Sequence, residues 1–136
     1  MLSFIYMSLI DNIISPASLE VVHADHSQIS LFLTQLKEAI TRRRYVVNQR
    51  ARNNEFLSRH NMTPREREYV LRSLQIEDYV TGPGMNGDTG VWEFTKKYRG
   101  AHIRIKIKLL PFDGVFARDG DYAKDGHYAK CSAFHD

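Results

Sequence analysis

Hydrophobic and polar residues alternate without a break from Ala101 to Leu109 in the strand Ala101 to Leu110. Ile103, Ile105, Ile107 and Leu109 take one side, and His102, Arg104, Lys106 and Lys108 the other; a period of two is the mark of a strand. One side of this strand predicts core and the other a row of cations, whose mutual repulsion costs free energy unless an anion offsets it. A nucleic-acid backbone is the obvious candidate. Val91 to Tyr98 alternates as well, Trp92 and Phe94 against Glu93, Thr95 and Lys97, and Arg99-Gly100 then predicts an antiparallel hairpin into the basic strand. Pro111 stops that strand, and a closing strand runs from roughly Tyr128 to Phe134.

The first half of the chain follows the helical period instead. Ile29, Phe32, Leu33, Leu36 and Ile40 predict a helix of roughly four turns, with Asp25 or Ser27 as N-cap. It ends at Arg42-Arg43-Arg44, Tyr45-Val46-Val47 reads as a short strand, and Phe56 and Leu57 belong to a short helix. Thr63-Pro64-Arg65-Glu66 is a helix start with N-cap, proline at the first position and a capping-box glutamate; Val70, Leu71 and Leu74 form its apolar stripe, and it ends before Gln75. The Gly-rich loop Gly84 to Gly90 lacks the Gly-Lys-Ser/Thr ending of a phosphate-binding P-loop. Between Pro111 and the last strand lies a turn-rich excursion with a tandem echo, Gly120 to Lys130, too short for a repeat architecture. Residues 1 to 26 carry an apolar run, a Ser15-Pro16 break and a candidate strand at Leu19 to Val22. An ordered extension, a contact surface and a translated leader with Met7 as the true start all fit them. The expectation is an N-terminal extension over 1–26 and a single α+β domain over 27–136.

A chain of 136 residues can bury a sizeable core without metal or disulfide support. With 43% hydrophobic and 26% charged residues it reads as an ordinary compact, soluble domain. Its net charge of +3 is modest, so the distribution of charge carries more information than the sum. From Lys37 to Arg72 there are ten Lys or Arg against four Glu, and from Lys96 to Lys108 six basic residues and no acid. Cys131 is the single cysteine, which excludes an intrachain disulfide framework and a four-cysteine zinc site and suits a reducing cytosol. The apolar start has no basic n-region, is interrupted by Asp11 and lacks a small-residue cleavage site, so secretion is the weaker reading. It is also too short and too polar to span a bilayer. A cytoplasmic protein without membrane partners is expected.

The polar faces of the strands gather Glu93, Lys97, Arg104, Lys106 and Lys108, with His135 arriving at the end of the closing strand. Such a set suits RNA cleavage without a metal or other cofactor. A base takes the ribose 2′-OH proton, cations stabilise the charged phosphorane, and an acid protonates the leaving oxygen. Histidine serves either proton-transfer role near neutral pH. Composition alone favours the plainer reading, in which His135 is a frayed terminal residue and the lysines only bind phosphate. The five arginines from Arg42 to Arg52 exceed what helix capping needs, so Arg50 and Arg52 are candidates for RNA contact. Tyr79 and Trp92 are candidates for base stacking, though Trp92 shares its face with Phe94 and fits the core better. His102, His127 and His135 with Asp119, Asp121 and Asp125 show no metal-site spacing. Cys131, within a predicted strand, reads as a small core residue before a nucleophile.

The run VLRSLQIEDYVTGPGMNGDTGVWEFTKKYRGAHIRIKIKL, the closing KCSAFH and the upstream RRRYVVNQRARNNEFLSRHNMTPRE resemble the MqsR-type toxins of bacterial type II toxin-antitoxin systems. The resemblance covers about residues 27 to 136, and the order of its short pieces gives it weight. It implies a RelE-like α+β fold, a twisted antiparallel sheet packed against two to three helices. It also implies an mRNA endoribonuclease (mRNA interferase) that inhibits growth, with a cognate antitoxin protein as partner and a homodimer left open. Carried over by motif, Tyr79 and Glu93 border the active surface, Lys106 matches the strand lysine and His135 the terminal basic residue. Arg104 stands where the family usually has Tyr, and Ala133 is an extra residue in the closing motif. One inserted residue makes Phe134 and His135 exchange faces unless a bulge absorbs it. A non-catalytic nucleic-acid-binding or regulatory protein on the same fold is the alternative expectation.

Overall fold

The computed structural model describes residues 23–84, 90–112 and 126–136. Most of the extension (1–22), the middle of the Gly-rich loop (85–89) and most of the excursion before the last strand (113–125), with Asp119, Asp121 and Asp125, lie outside them. Helix α1 spans His26–Thr41, capped by Asp25, whose side chain accepts from the Gln28 N–H while the Gln28 side chain returns to the Asp25 N–H. Its predicted stripe, Ile29, Phe32, Leu33, Leu36 and Ile40, is buried. Strand β1 (Tyr45–Val47), α2 (Ala51–Arg59) and α3 (Pro64–Arg72) follow, and the Thr63 capping box opens α3 as expected. Glu66 of that box also accepts from Tyr98 Oη at 3.1 Å, which ties α3 to the hairpin. A 3-10 turn, Ile76–Asp78, leads into β2 (Tyr79–Thr81).

Strands β3 (Val91–Tyr98), β4 (Ala101–Pro111) and β5 (His127–His135) complete a five-stranded sheet of order β1-β5-β4-β3-β2. The β3–β4 hairpin closes with Tyr98 opposite Ala101. Its two turn residues, Arg99 and Gly100, both have positive φ, the twist-compatible form of a two-residue turn. β4 ends at Pro111 as expected, with the proline as its last residue; at the end of a strand a missing N–H is tolerated. Gly82 approaches β3 so closely that a Cβ there would lie 2.7 Å from the Val91 carbonyl oxygen.

The sheet is mixed, not antiparallel throughout: β1 runs parallel to β5, Tyr45 beside Ala129 and Val47 beside Cys131. No hairpin joins these two strands, so turn chemistry does not dictate their relative direction. It follows from how α1 releases the chain, through Arg43 at φ 60°, and from backbone bonds that lock both ends of β1: Ala129 N–H to Arg44 O and Asn48 N–H to Cys131 O, both 2.9 Å. Arg44 itself is buried, its guanidinium 3.6 Å above the Phe112 ring.

The three α-helices among the described residues share one hydrophobic core with one face of the sheet. Phe32 of α1 stacks on Trp92 at 4.4 Å and lies 5.7 Å from Phe94. Ile103, Ile105 and Ile107 are buried on the same side, whereas Thr95, Lys97, His102, Arg104 and Lys130 are exposed. Among the described residues, no helix is long and apolar enough to cross a membrane.

Replacing Phe32 by Ala removes the platform under the single tryptophan. The expected loss is about 3–5 kcal/mol of stability, read from denaturant midpoints, with a shift in Trp92 emission towards that of a wetter indole. On the same side, Tyr45 Oη donates to Glu68 at 2.6 Å. Burial and this bond push the tyrosine up to about 12, and the bond holds Glu68 below its ordinary 4.5. The Glu68 contribution to stability is present above pH 4.5 and lost as pH falls through the lower folded value; that of Tyr45 is present below pH 10 and lost as pH rises through about 12. Tyr45→Phe is expected to flatten both limbs of the stability-against-pH curve. Unchanged limbs would show that this pair contributes neither.

Candidate active site

The polar face of the sheet is built from cross-strand rungs. Thr95, Arg104 and His135 form one, Glu93, Lys106 and Ala133 the next, and Val91, Lys108 and Lys130 the third. Neighbours within a rung have Cβ atoms roughly 5 Å apart, and successive rungs are separated by roughly 7 Å along the strand. Lys97 and His102 begin the row at the hairpin end.

Whether His135 joins this face depends on one residue. Lys106 pairs with Ala133 but Ile107 with Cys131, so Ser132 is the extra residue of a β-bulge. Without it, strict alternation from Cys131 would turn Phe134 outward and His135 into the core. With it, Phe134 lies opposite Ile105, fully buried, and His135 lies opposite Arg104. The bulge therefore sets the parity of the end of the strand and puts His135 on the face of Arg104.

A bulge leaves backbone groups outside the ladder, and here the buried Asn53 takes them up. Its Nδ2 donates to Ser132 O at 3.3 Å and to Asn48 O at 3.1 Å, and its Oδ1 accepts from the Phe134 N–H at 3.1 Å. Phe134 also meets Phe56 of α2 edge-on at 5.9 Å. On the other side of His135, Arg59 Nη2 reaches both carboxylate oxygens of Asp136 at 2.8 Å. Desolvation opposes ionisation of Asp136, but the hydrogen bonds and charge of Arg59 outweigh it and the carboxyl sits below its ordinary value. His135 is thus held between two anchored residues rather than frayed. Its Nδ1 lies 2.8 Å from the main-chain oxygen of Asp136. That oxygen only accepts, so the proton sits on Nδ1 and the lone pair of a neutral ring is on Nε2.

Glu93 Oε2 pairs with Arg104 Nη2 at 3.2 Å, with the glutamate side chain 19% exposed and the arginine 53%. The carboxylate orients the guanidinium and leaves half of it open to solvent. Arg50 lies beside Lys108 and Lys130 in a cleft next to the third rung, whereas Arg52 is exposed on the first turn of α2 and does not line it.

Tyr79 does not join the basic face. It packs edge-on against Trp92 and Phe94 on the helix-covered side, and its hydroxyl donates to Gly82 O at 2.6 Å and accepts from Ala24 N–H at 2.9 Å. Trp92, stacked under Phe32, is partly buried and packs against the core, the side expected of it. Burial pushes the Cys131 thiol up to about 12, which removes it as a nucleophile at neutral pH. Among the described residues, no group of three or more His, Cys, Asp or Glu side chains is arranged to hold a metal ion.

Neither protein-family models nor curated proteins match this chain. The geometry therefore stands by itself. Three residues that position the site, Asn53, Arg59 and Asp136, carried no signal of their own in the sequence. The one available clue was indirect: the parity of Cys131 to His135 calls for a bulge if Phe134 is to be core, and a buried bulge calls for a polar partner.

Asn53→Ala is expected to leave the buried Phe134 N–H without its acceptor and to take a donor from the Ser132 carbonyl, while the Asn48 carbonyl keeps the Arg50 N–H. A loss of about 2–3 kcal/mol in denaturant unfolding should result, and the His135 ring resonances should broaden or shift. A stability loss below half a kcal/mol would show that the bulge holds without this side chain.

Proposed function

We propose that the protein is a metal-independent endoribonuclease, an mRNA interferase of the MqsR type neutralised by a cognate antitoxin. The observation that carries the reading is the rung Thr95–Arg104–His135 beside Lys106, with His135 anchored on both sides. In the reaction, His135 Nε2 acts as the base that takes the 2′-OH proton, and the oxygen so freed attacks the adjacent phosphorus. Arg104, oriented by Glu93, and Lys106 offset the charge that builds on the phosphorane oxygens. The proton held by His135, or one from the Lys106 ammonium, goes to the leaving 5′-oxygen as the P–O bond breaks. Lys108 and Lys97 continue the cationic row on either side and hold flanking phosphates. The RelE-like likeness is part of this proposal; it is supported by the α+β architecture and by the ordered motifs.

A second reading is supported by the Glu93–Arg104 pair, which already meets part of the charge of the arginine. In that reading the face binds nucleic acid without cutting it.

His135→Ala and Lys106→Ala, made separately, are expected to lower RNA cleavage by the purified protein by about 100-fold or more. Growth arrest on expression should be relieved, and cleavage by the wild type should persist in EDTA. Retained cleavage in both variants would overturn the assignment. Tight, salt-sensitive RNA binding by a wild type that cuts nothing would establish the second reading instead.

A further inference from the structure

A second feature of the basic face lies away from His135. Asn48 and Arg50, from the loop between β1 and α2, meet Lys108 of β4 and Lys130 and Ser132 of β5 around a cleft of about 170 Å³, which Val91 and Leu110 floor with apolar surface. Arg50 and Lys130 are exposed. Lys108 and Lys130 stand directly opposite each other across the two strands, an arrangement whose repulsion disfavours the sheet.

The cleft is well below the roughly 300–1,000 Å³ of a small-molecule pocket, so it takes a compact anion and not a whole nucleotide. The Asn48 side-chain amide and the Ser132 hydroxyl add neutral donors to the cations, the combination by which backbone phosphates are held. Lys108 lies four residues from Arg104 along β4, roughly 14 Å away. The two anion sites are too far apart for one phosphate and are on the same face.

We propose that this cleft is a phosphate subsite that grips the backbone of a single-stranded nucleic acid at a phosphate remote from the scissile one, and so sets the register of the strand across Arg104 and His135. The role in register rests on the ribonuclease reading; the phosphate binding does not. The experiment uses the full chain and a labelled single-stranded 2′-deoxy oligonucleotide, which cannot be cut by 2′-OH attack. Its affinity is measured by fluorescence anisotropy across a salt series. Arg50→Glu/Lys130→Glu is compared with Lys37→Glu/Arg65→Glu, which makes the same charge change at exposed positions outside the cleft.

The expected result is a loss of at least tenfold in affinity for the cleft variant beyond that of the control. Its log K against log salt slope should be shallower by about 0.7 for each phosphate contact removed. Equal effects of the two variants, or no binding by the wild type, overturn the proposal. Binding of inorganic phosphate that the cleft variant loses, with oligonucleotide affinity unchanged, assigns the cleft to a free phosphate and overturns it as well. If the charge reversals unfold the chain, Arg50→Gln/Lys130→Gln decides by the same measurements. With a cleavable RNA, the cleft variant should raise KM more than it lowers kcat. A wild type that binds the oligonucleotide but cuts no RNA would defeat the catalytic reading and leave the anisotropy to decide the cleft.

Discussion

The polar face of this protein depends on a bulge at Ser132 and on the buried Asn53 that satisfies it. Strand parity is a binary constraint: a residue more or less turns every following side chain over. Phe134 in the core is worth roughly 1.5–3 kcal/mol in burial alone, and a histidine in its place would need a partner for each ring nitrogen. Packing and polarity therefore both select the bulged register, and Asn53 supplies the hydrogen bonds that make it affordable in a dry setting. The position of His135 is a consequence. The packing of Phe134 under Phe56 and the exposure of His135 beside Arg104 are one event seen from the two faces of the sheet.

The many cations divide in the same way. Lys96 is held by Asp78 at 3.0 Å and by the Ser73 carbonyl oxygen at 3.1 Å, Arg72 by Glu68 and Thr41, and Arg59 by Asp136. Arg44 is enclosed under Phe112. These charges join elements. The cations of β4 lie in a row on one face, and Glu93 reaches into it to pair with Arg104. Because that pair is half exposed on the arginine side, its worth lies in orienting the guanidinium more than in stabilising the fold. A net charge of +3 thus conceals a much steeper local asymmetry.

Periodicity and capping made most of the elements legible. The α1 stripe, the Thr63 capping box, the β3–β4 hairpin and the two faces of β4 all follow from residues close together in the chain. Tyr79 misled because an aromatic before a Gly-Pro turn is compatible with a stacking platform and with a core clamp. The difference is made by Trp92 and Phe94 and by the Gly82 carbonyl, which the fold brings to it. Cys131 read correctly as a core residue and Trp92 as one on the core side, since each shares its strand face with other apolar side chains.

Local sequence determined what each strand offers to its two sides, because alternation and helical spacing depend only on near neighbours. It also set the parity of the closing strand, in which Phe134 and His135 exchange faces unless a bulge intervenes. Three things were decided by tertiary structure alone: that the bulge falls at Ser132, that β1 lies parallel to β5, and that Asn53, Arg59 and Lys130 come to the site. Each joins residues that are far apart in the chain and tied by no turn. Their partners are chosen by unsatisfied backbone groups and unpaired charge, which exist only once the sheet has formed.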